Sequence, residues 1–131
     1  MKQFALYLLL GLGLFVSCTE EAPKKEKELP LIEIKNGMYT EYYPGRKAVK
    51  IRGPVDGNEL RNGKWALYTE NGFELSVTHY IHGKKEGHSI VKYPNGVLNY
   101  YGEYRNDQKV GVWRTYDQKG KLVEEKDFGG L

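Results

Sequence analysis

The chain is poor in the residues that organise many small exported or catalytic folds. It has one cysteine in 131 residues, so it can form no internal disulfide. It has three histidines and no His-Glu-x-x-His motif, and it lacks the Gly-x-Ser-x-Gly elbow of serine hydrolases. After residue 17 no segment repeats apolar residues at helical spacing. Charge of one sign is also missing. Lys and Arg total 20 against 17 Asp and Glu, and the two signs are interleaved. That balance lacks the basic stripe of a nucleic-acid-binding domain, and no nucleic acid is expected to bind here. The length allows one domain. A single long apolar run exists, Phe4 to Val16, and it is too short to span a bilayer comfortably.

That run follows Lys2 and ends in Phe15-Val16-Ser17-Cys18, the pattern of an export signal's apolar region followed by small residues. The ending resembles the lipobox of bacterial lipoproteins, with Phe15 where leucine is commoner. Relaxed lipoboxes of this kind are frequent among Bacteroidetes-like proteins. The resemblance implies cleavage before Cys18 and lipidation of its sulfur and new amino group. Several acyl chains, at ~0.8 kcal/mol per buried methylene, anchor a protein stably. Residues 1–17 are therefore read as a lipoprotein signal peptide, 18–35 as the lipidated cysteine and a flexible tether, and 36–131 as the folded domain. Thr19 to Glu28 (TEEAPKKEKE) carries many charges and no large apolar side chain, as a tether does. Glu20-Glu21 resembles the acidic signals that send some such lipoproteins to the cell surface. The expected location is the outer membrane, on its periplasmic face or at the cell surface. Removing residues 1–17 takes one lysine with it and leaves a net charge of +2.

What the chain has in abundance is glycine and tyrosine, 16 and 11 residues. Gly63, Gly87 and Gly111 are equally spaced, and at one further constant offset stands another glycine series: Gly72, Gly96 and Gly120. Tyr80, Tyr104 and Phe128 keep the same spacing, and Trp65 and Trp113 share an offset with Ser89 between them. A degenerate earlier unit starts at Gly37, as the end of a repeat stack often does. Each unit reads as strand, turn and strand, with turns at Asn71-Gly72, Pro94-Asn95-Gly96 and Asp117 to Gly120. Asn-Gly favours a type I′ turn, which needs positive φ at both central residues. The segment His82 to Glu86 reads as the connection between two hairpins, with Gly87 opening the next unit. The stretch Pro30 to Ile34 is placed to pair with the first hairpin as a cap. The expectation is all-β: a single elongated antiparallel sheet of repeated β-hairpins with a period of about 24 residues, inside the range of structural repeats.

Gly63, Trp65, Tyr68, Asn71 and Gly72 in one unit, and Gly111, Trp113, Tyr116, Gly120 and Leu122 in another, resemble the MORN-repeat-variant family, often labelled YwqK family antitoxin. The third unit matches at Gly87, Tyr93, Asn95, Gly96 and Leu98 but lacks the tryptophan. The resemblance covers about residues 37–128 and implies MORN-like repeats. The family label implies antitoxin or immunity activity, which an export signal weakens for a cytosolic antitoxin.

The residues offer little for catalysis. Glu124 and Glu125 are strand neighbours and point to opposite faces. His79 and His82 differ by an odd number and have no nearby aspartate or cysteine to complete a metal shell. Gly83-Lys84-Lys85 lacks the spacing of a phosphate loop. No enzyme activity, metal or cofactor is expected. The aromatic residues are the candidate binding surface: Tyr42, Trp65, Tyr68, Tyr80, Tyr93, Tyr100, Tyr101, Tyr104, Trp113 and Tyr116. Most of them serve as a cross-strand ladder, but a single-layer sheet cannot hide both faces. The expected function is a non-catalytic scaffold, held to the membrane through Cys18, that docks an envelope protein. The alternative is glycan or cell-wall binding through exposed rings.

Overall fold

Alternating apolar and polar residues, punctuated by glycine, give extended segments that pair with their sequence neighbours. The computed structural model describes residues 29–130. The signal peptide, Cys18 and the tether through Glu28 lie outside the described residues. Nine strands form one open antiparallel meander in the order β1 to β9. They are β1 (Ile32–Lys35), β2 (Met38–Tyr42), β3 (Val49–Pro54), β4 (Gly63–Tyr68), β5 (Glu74–Ile81), β6 (Lys84–Lys92), β7 (Leu98–Arg105), β8 (Gln108–Tyr116) and β9 (Leu122–Asp127). The described residues contain no helix.

The expected domain boundary at residue 36 falls inside the first hairpin. Ile32–Lys35 is already strand, pairing with β2 from Ile32↔Glu41 to Lys35↔Met38. The alternation Ile32-Glu33-Ile34 gives it a face to share, so the last residues assigned to the tether cap the sheet.

The turns differ from expectation in a regular way. Asn71-Gly72 and Asn95-Gly96 are not type I′ turns, because only the glycines have positive φ, at 85° and 88°. In each, the glycine N–H donates to the carbonyl three residues back, Gly72 to Thr69 and Gly96 to Tyr93. This is the three-residue hairpin loop, a type I turn followed by a left-handed glycine. Pro94 fits it because proline pre-sets the φ of the first central position of a type I turn. Gly120 closes the same loop onto Asp117. The type I′ geometry lies at the other ends of the strands. Asn36-Gly37, His82-Gly83 and Asn106-Asp107 have positive φ at both residues. The connection read as His82 to Glu86 is therefore only two residues long, and Lys84 already belongs to β6. Gly87 and Gly111 do not open strands. They sit within β6 and β8 at positive φ, where the neighbouring registers shift.

No second layer covers the sheet, so burial comes from side-chain packing within each of its two faces. The buried apolar side chains among the described residues are Trp65, Ala66, Val110 and Trp113, and Thr40 and Ser89 are the buried polar ones. One row crosses the whole sheet on the side opposite the tryptophans: Glu33, Thr40, Arg52, Ala66, Val77, Ile90, Tyr101, Arg114 and Glu125. The other face carries two aromatic clusters.

Candidate functional site

Each cluster is built on a glycine. A Cβ placed on Gly53 or on Gly102 would lie less than 3.0 Å from three atoms of the Trp65 or Trp113 ring. Each indole therefore lies flat over bare backbone on the neighbouring strand. Its N–H finds an acceptor there: Trp65 Nε1 donates to the Pro54 carbonyl at 2.8 Å, and Trp113 Nε1 to the Glu103 carbonyl at 3.2 Å. Between the two clusters, Thr78 and Ser89 face each other across β5 and β6 and share a 2.8 Å hydroxyl–hydroxyl hydrogen bond. The small Ser89, where the other units have tryptophan, keeps the clusters separate.

Rings pack round each indole. Trp65 lies 5.1 Å from Tyr39 and 6.2 Å, edge-on, from Tyr80. Trp113 lies 4.9 Å from Tyr104, 5.9 Å from Tyr100 and 6.4 Å from Phe128. Burial raises the hydroxyl pKa of Tyr100 above its ordinary value, and Tyr39 is raised by burial and then by the nearby Glu41 charge.

Cations close over these rings. The Arg61 guanidinium stands 4.1 Å above Trp65 and 5.2 Å from Tyr80, whose hydroxyl accepts from its Nη1 at 3.1 Å. Lys85 Nζ is 4.7 Å from the Tyr104 ring, and Lys109 Nζ is 4.3 Å from Trp113 and 5.4 Å from Phe128. Lys126 Nζ is 4.9 Å from Phe128. Among the described residues none of these four cations makes an ion pair. Tyr100, Tyr104, Lys109, Trp113, Lys126 and Phe128 help line an open recess of about 380 Å³.

The ten candidate residues therefore do not form one surface. Trp65, Tyr80, Tyr100, Tyr104 and Trp113 share the tryptophan face. Both indoles are only 5% exposed, so they support the rings and cations around them more than they offer contact themselves. Tyr42 and Tyr101 lie on the opposite face. There Tyr42 donates to Glu33 at 2.6 Å, and Tyr101 accepts from Arg114 Nη1 at 2.5 Å. Tyr68, Tyr93 and Tyr116 stand at the strand ends beside the longer turns. The Tyr93 hydroxyl fastens two of those turns by donating to the Tyr116 carbonyl at 2.9 Å, and Tyr43 treats Tyr68 the same way at 2.8 Å.

Sequence reasoning missed Arg61, Lys85, Lys109 and Lys126. A signal was present, since Arg61, Lys85 and Lys109 repeat with the glycine series, each standing just before Gly63, Gly87 or Gly111 at the same offset. It also missed an aspartate for His82. Asp56, 26 positions earlier, meets His82 Nδ1 at 2.7 Å because the loop after β3 folds back beside the β5–β6 turn. That hydrogen bond, followed by backbone N–H donors from Leu60 and Asn58, lowers the Asp56 pKa. Among the described residues no three His, Cys, Asp or Glu side chains are grouped as a metal site. No protein-family model, curated protein or solved structure matches the chain.

Proposed function

We propose that the protein is a non-catalytic scaffold of MORN-like β-hairpin repeats that docks a protein partner at the bacterial cell envelope. The repeat period in this reading is about 24 residues. Lipidated Cys18 holds the scaffold to the outer membrane. The observation that carries the proposal is the composition of the tryptophan face. Tyr39, Tyr80 and Arg61 surround Trp65, and Tyr100, Tyr104 and Phe128 surround Trp113. Trp, Tyr and Arg are the residue types that dominate binding energy at protein interfaces. They stand here packed ring against ring across paired strands, an arrangement that leaves little ordering to be done on contact.

Affinity capture from solubilised membranes with the full-length protein tests this. A stoichiometric envelope protein should be recovered, and Tyr80→Ala with Tyr104→Ala should lose it while the sheet stays folded. Recovery of no such protein, or equal recovery by the variant, refutes the reading. Cys18→Ser should move the protein from the membrane fraction to the soluble one, and its retention in membranes refutes the anchor.

A second reading, glycan binding, is favoured by one specific feature. The rings and cations of the tryptophan face alternate across the strands, and the cations lie over ring faces with no carboxylate partner among the described residues. Neutral protein segments have no use for that alternation.

A further inference from the structure

The glycan reading becomes more specific when the register is followed across the sheet. Tyr80 pairs with Lys85 across β5 and β6, and Tyr104 pairs with Lys109 across β7 and β8. Gly87 pairs with Tyr104 across β6 and β7, and Phe128 N–H donates to the Gly111 carbonyl beyond β8. The result is a line perpendicular to the strands in which ring and cation alternate: Arg61 with Tyr80, Lys85 with Tyr104, Lys109 with Phe128. Successive cations are two strands apart, which is about 10 Å. Glu124 lies on this face, in the next row along, opposite Thr115.

We propose that this line binds a linear acidic polysaccharide lying across the strands, with one carboxylate on every second sugar. The proposal rests on the glycan reading of the same face. Charge complementarity selects the acid. Arg61, Lys85, Lys109 and Lys126 have ring faces as partners, and for Arg61 the Tyr80 hydroxyl, but no carboxylate among the described residues. The period selects the polymer. A β-linked disaccharide has about the length of two strand spacings, so one uronate per disaccharide keeps step with the cations. A nucleic-acid strand carries a charge every ~3.4 Å in a duplex, which is too dense for this line. The flanking rings suit the apolar faces of the intervening sugars.

The test measures binding of the full-length protein in detergent to three probes of similar length. They are a hyaluronan hexasaccharide, a neutral N-acetylglucosamine hexamer and a single-stranded oligothymidylate. Hyaluronan should bind at least tenfold more tightly than either of the others. Lys85→Gln with Lys109→Gln should lower its affinity at least tenfold, and Lys85→Arg with Lys109→Arg should preserve it at the same melting temperature. Equal binding of hyaluronan and the neutral hexamer overturns the acidic ligand and leaves glycan binding standing. Binding of neither sugar overturns both readings, and tighter binding of the oligothymidylate overturns the proposed period.

Discussion

One methyl group at Gly102 tests whether the tryptophan face is held by the backbone beneath it. In Gly102→Ala the new Cβ would lie less than 3.0 Å from three atoms of the Trp113 ring, and that contact cannot stand. If the strands separate to admit it, overpacking costs about 1–3 kcal/mol. If the ring tips away instead, it weakens its pairs with Tyr100, Tyr104 and Phe128, each worth about 0.5–1.5 kcal/mol, and strains the bond to the Glu103 carbonyl. Removing a strand glycine returns about 0.5–1 kcal/mol through the unfolded chain. The net loss is therefore about 1 kcal/mol. For a domain of this size that lowers the melting temperature by about 4–8 °C. Urea denaturation followed by tryptophan fluorescence reads it directly, since Trp65 and Trp113 are the two tryptophans of the chain. Gly57→Ala is the control, because nothing lies within 4 Å of its added Cβ and its φ is ordinary. On a Trp113→Leu background the Gly102→Ala penalty should shrink, with a coupling of about 0.5–3 kcal/mol. A variant within about 0.5 kcal/mol of the parent, or an undiminished penalty on the leucine background, refutes the reasoning.

Three further substitutions probe other parts of the sheet. Thr78→Val leaves the buried Ser89 hydroxyl without its partner and should cost about 1–3 kcal/mol in urea denaturation, while Thr78→Val with Ser89→Ala should recover part of that loss. Gly96→Ala forces a side chain into a turn at φ 88° and should cost about 1–2 kcal/mol; a cost as small as that of Gly57→Ala would rule out the left-handed turn. Glu33→Gln carries the pH dependence. The hydrogen bond from Tyr42, and then Arg46, hold the Glu33 carboxyl below its ordinary value of 4.5. A folded pKa below the unfolded one gives stability that is present above pH 4.5 and lost as pH falls through the folded value. Melting temperatures of Glu33→Gln and the parent should thus differ most near neutrality and converge in acid; a gap that stays constant with pH would contradict this.

The antiparallel architecture was legible because glycine and aromatic residues recur on strand-length segments and local pairing needs only neighbours. The turn chemistry was half legible. Asn-Gly marks a reversal, but whether both residues take positive φ depends on loop length, and the loop from Thr69 to Phe73 has three residues between its closing bonds. The bulges at Gly87 and Gly111 were invisible as bulges, because an unpaired residue is defined by what the partner strand does. The candidate site was legible as rings and not as a surface. Which rings share a face follows from register, and each register shift, as between Thr78 and Tyr80, changes what stands beside a ring. Asp56 beside His82 had no local signature at all, since a loop brings together residues 26 apart in sequence.

The cations over the tryptophan face explain how a one-layer sheet can be both stable and available. An aromatic face left bare would invite indiscriminate association. Arg61, Lys85, Lys109 and Lys126 cover it with charge, yet an exposed cation–π contact is worth only about 0.5–1 kcal/mol. Such a cover shields the rings from casual apolar contact and gives way to a ligand that offers a carboxylate, because a charge-assisted hydrogen bond is the stronger interaction. Stability and recognition should therefore separate in the same residues. Replacing Lys85 and Lys109 by glutamine removes three weak ring contacts, keeps part of each aliphatic stem over the rings and leaves the Trp–Gly stacking intact, so urea midpoints should move little. Acidic-sugar affinity should fall at least tenfold in the same protein. If stability and affinity fell together, the lysines would be part of what holds the sheet, and the face would have no cover to give up.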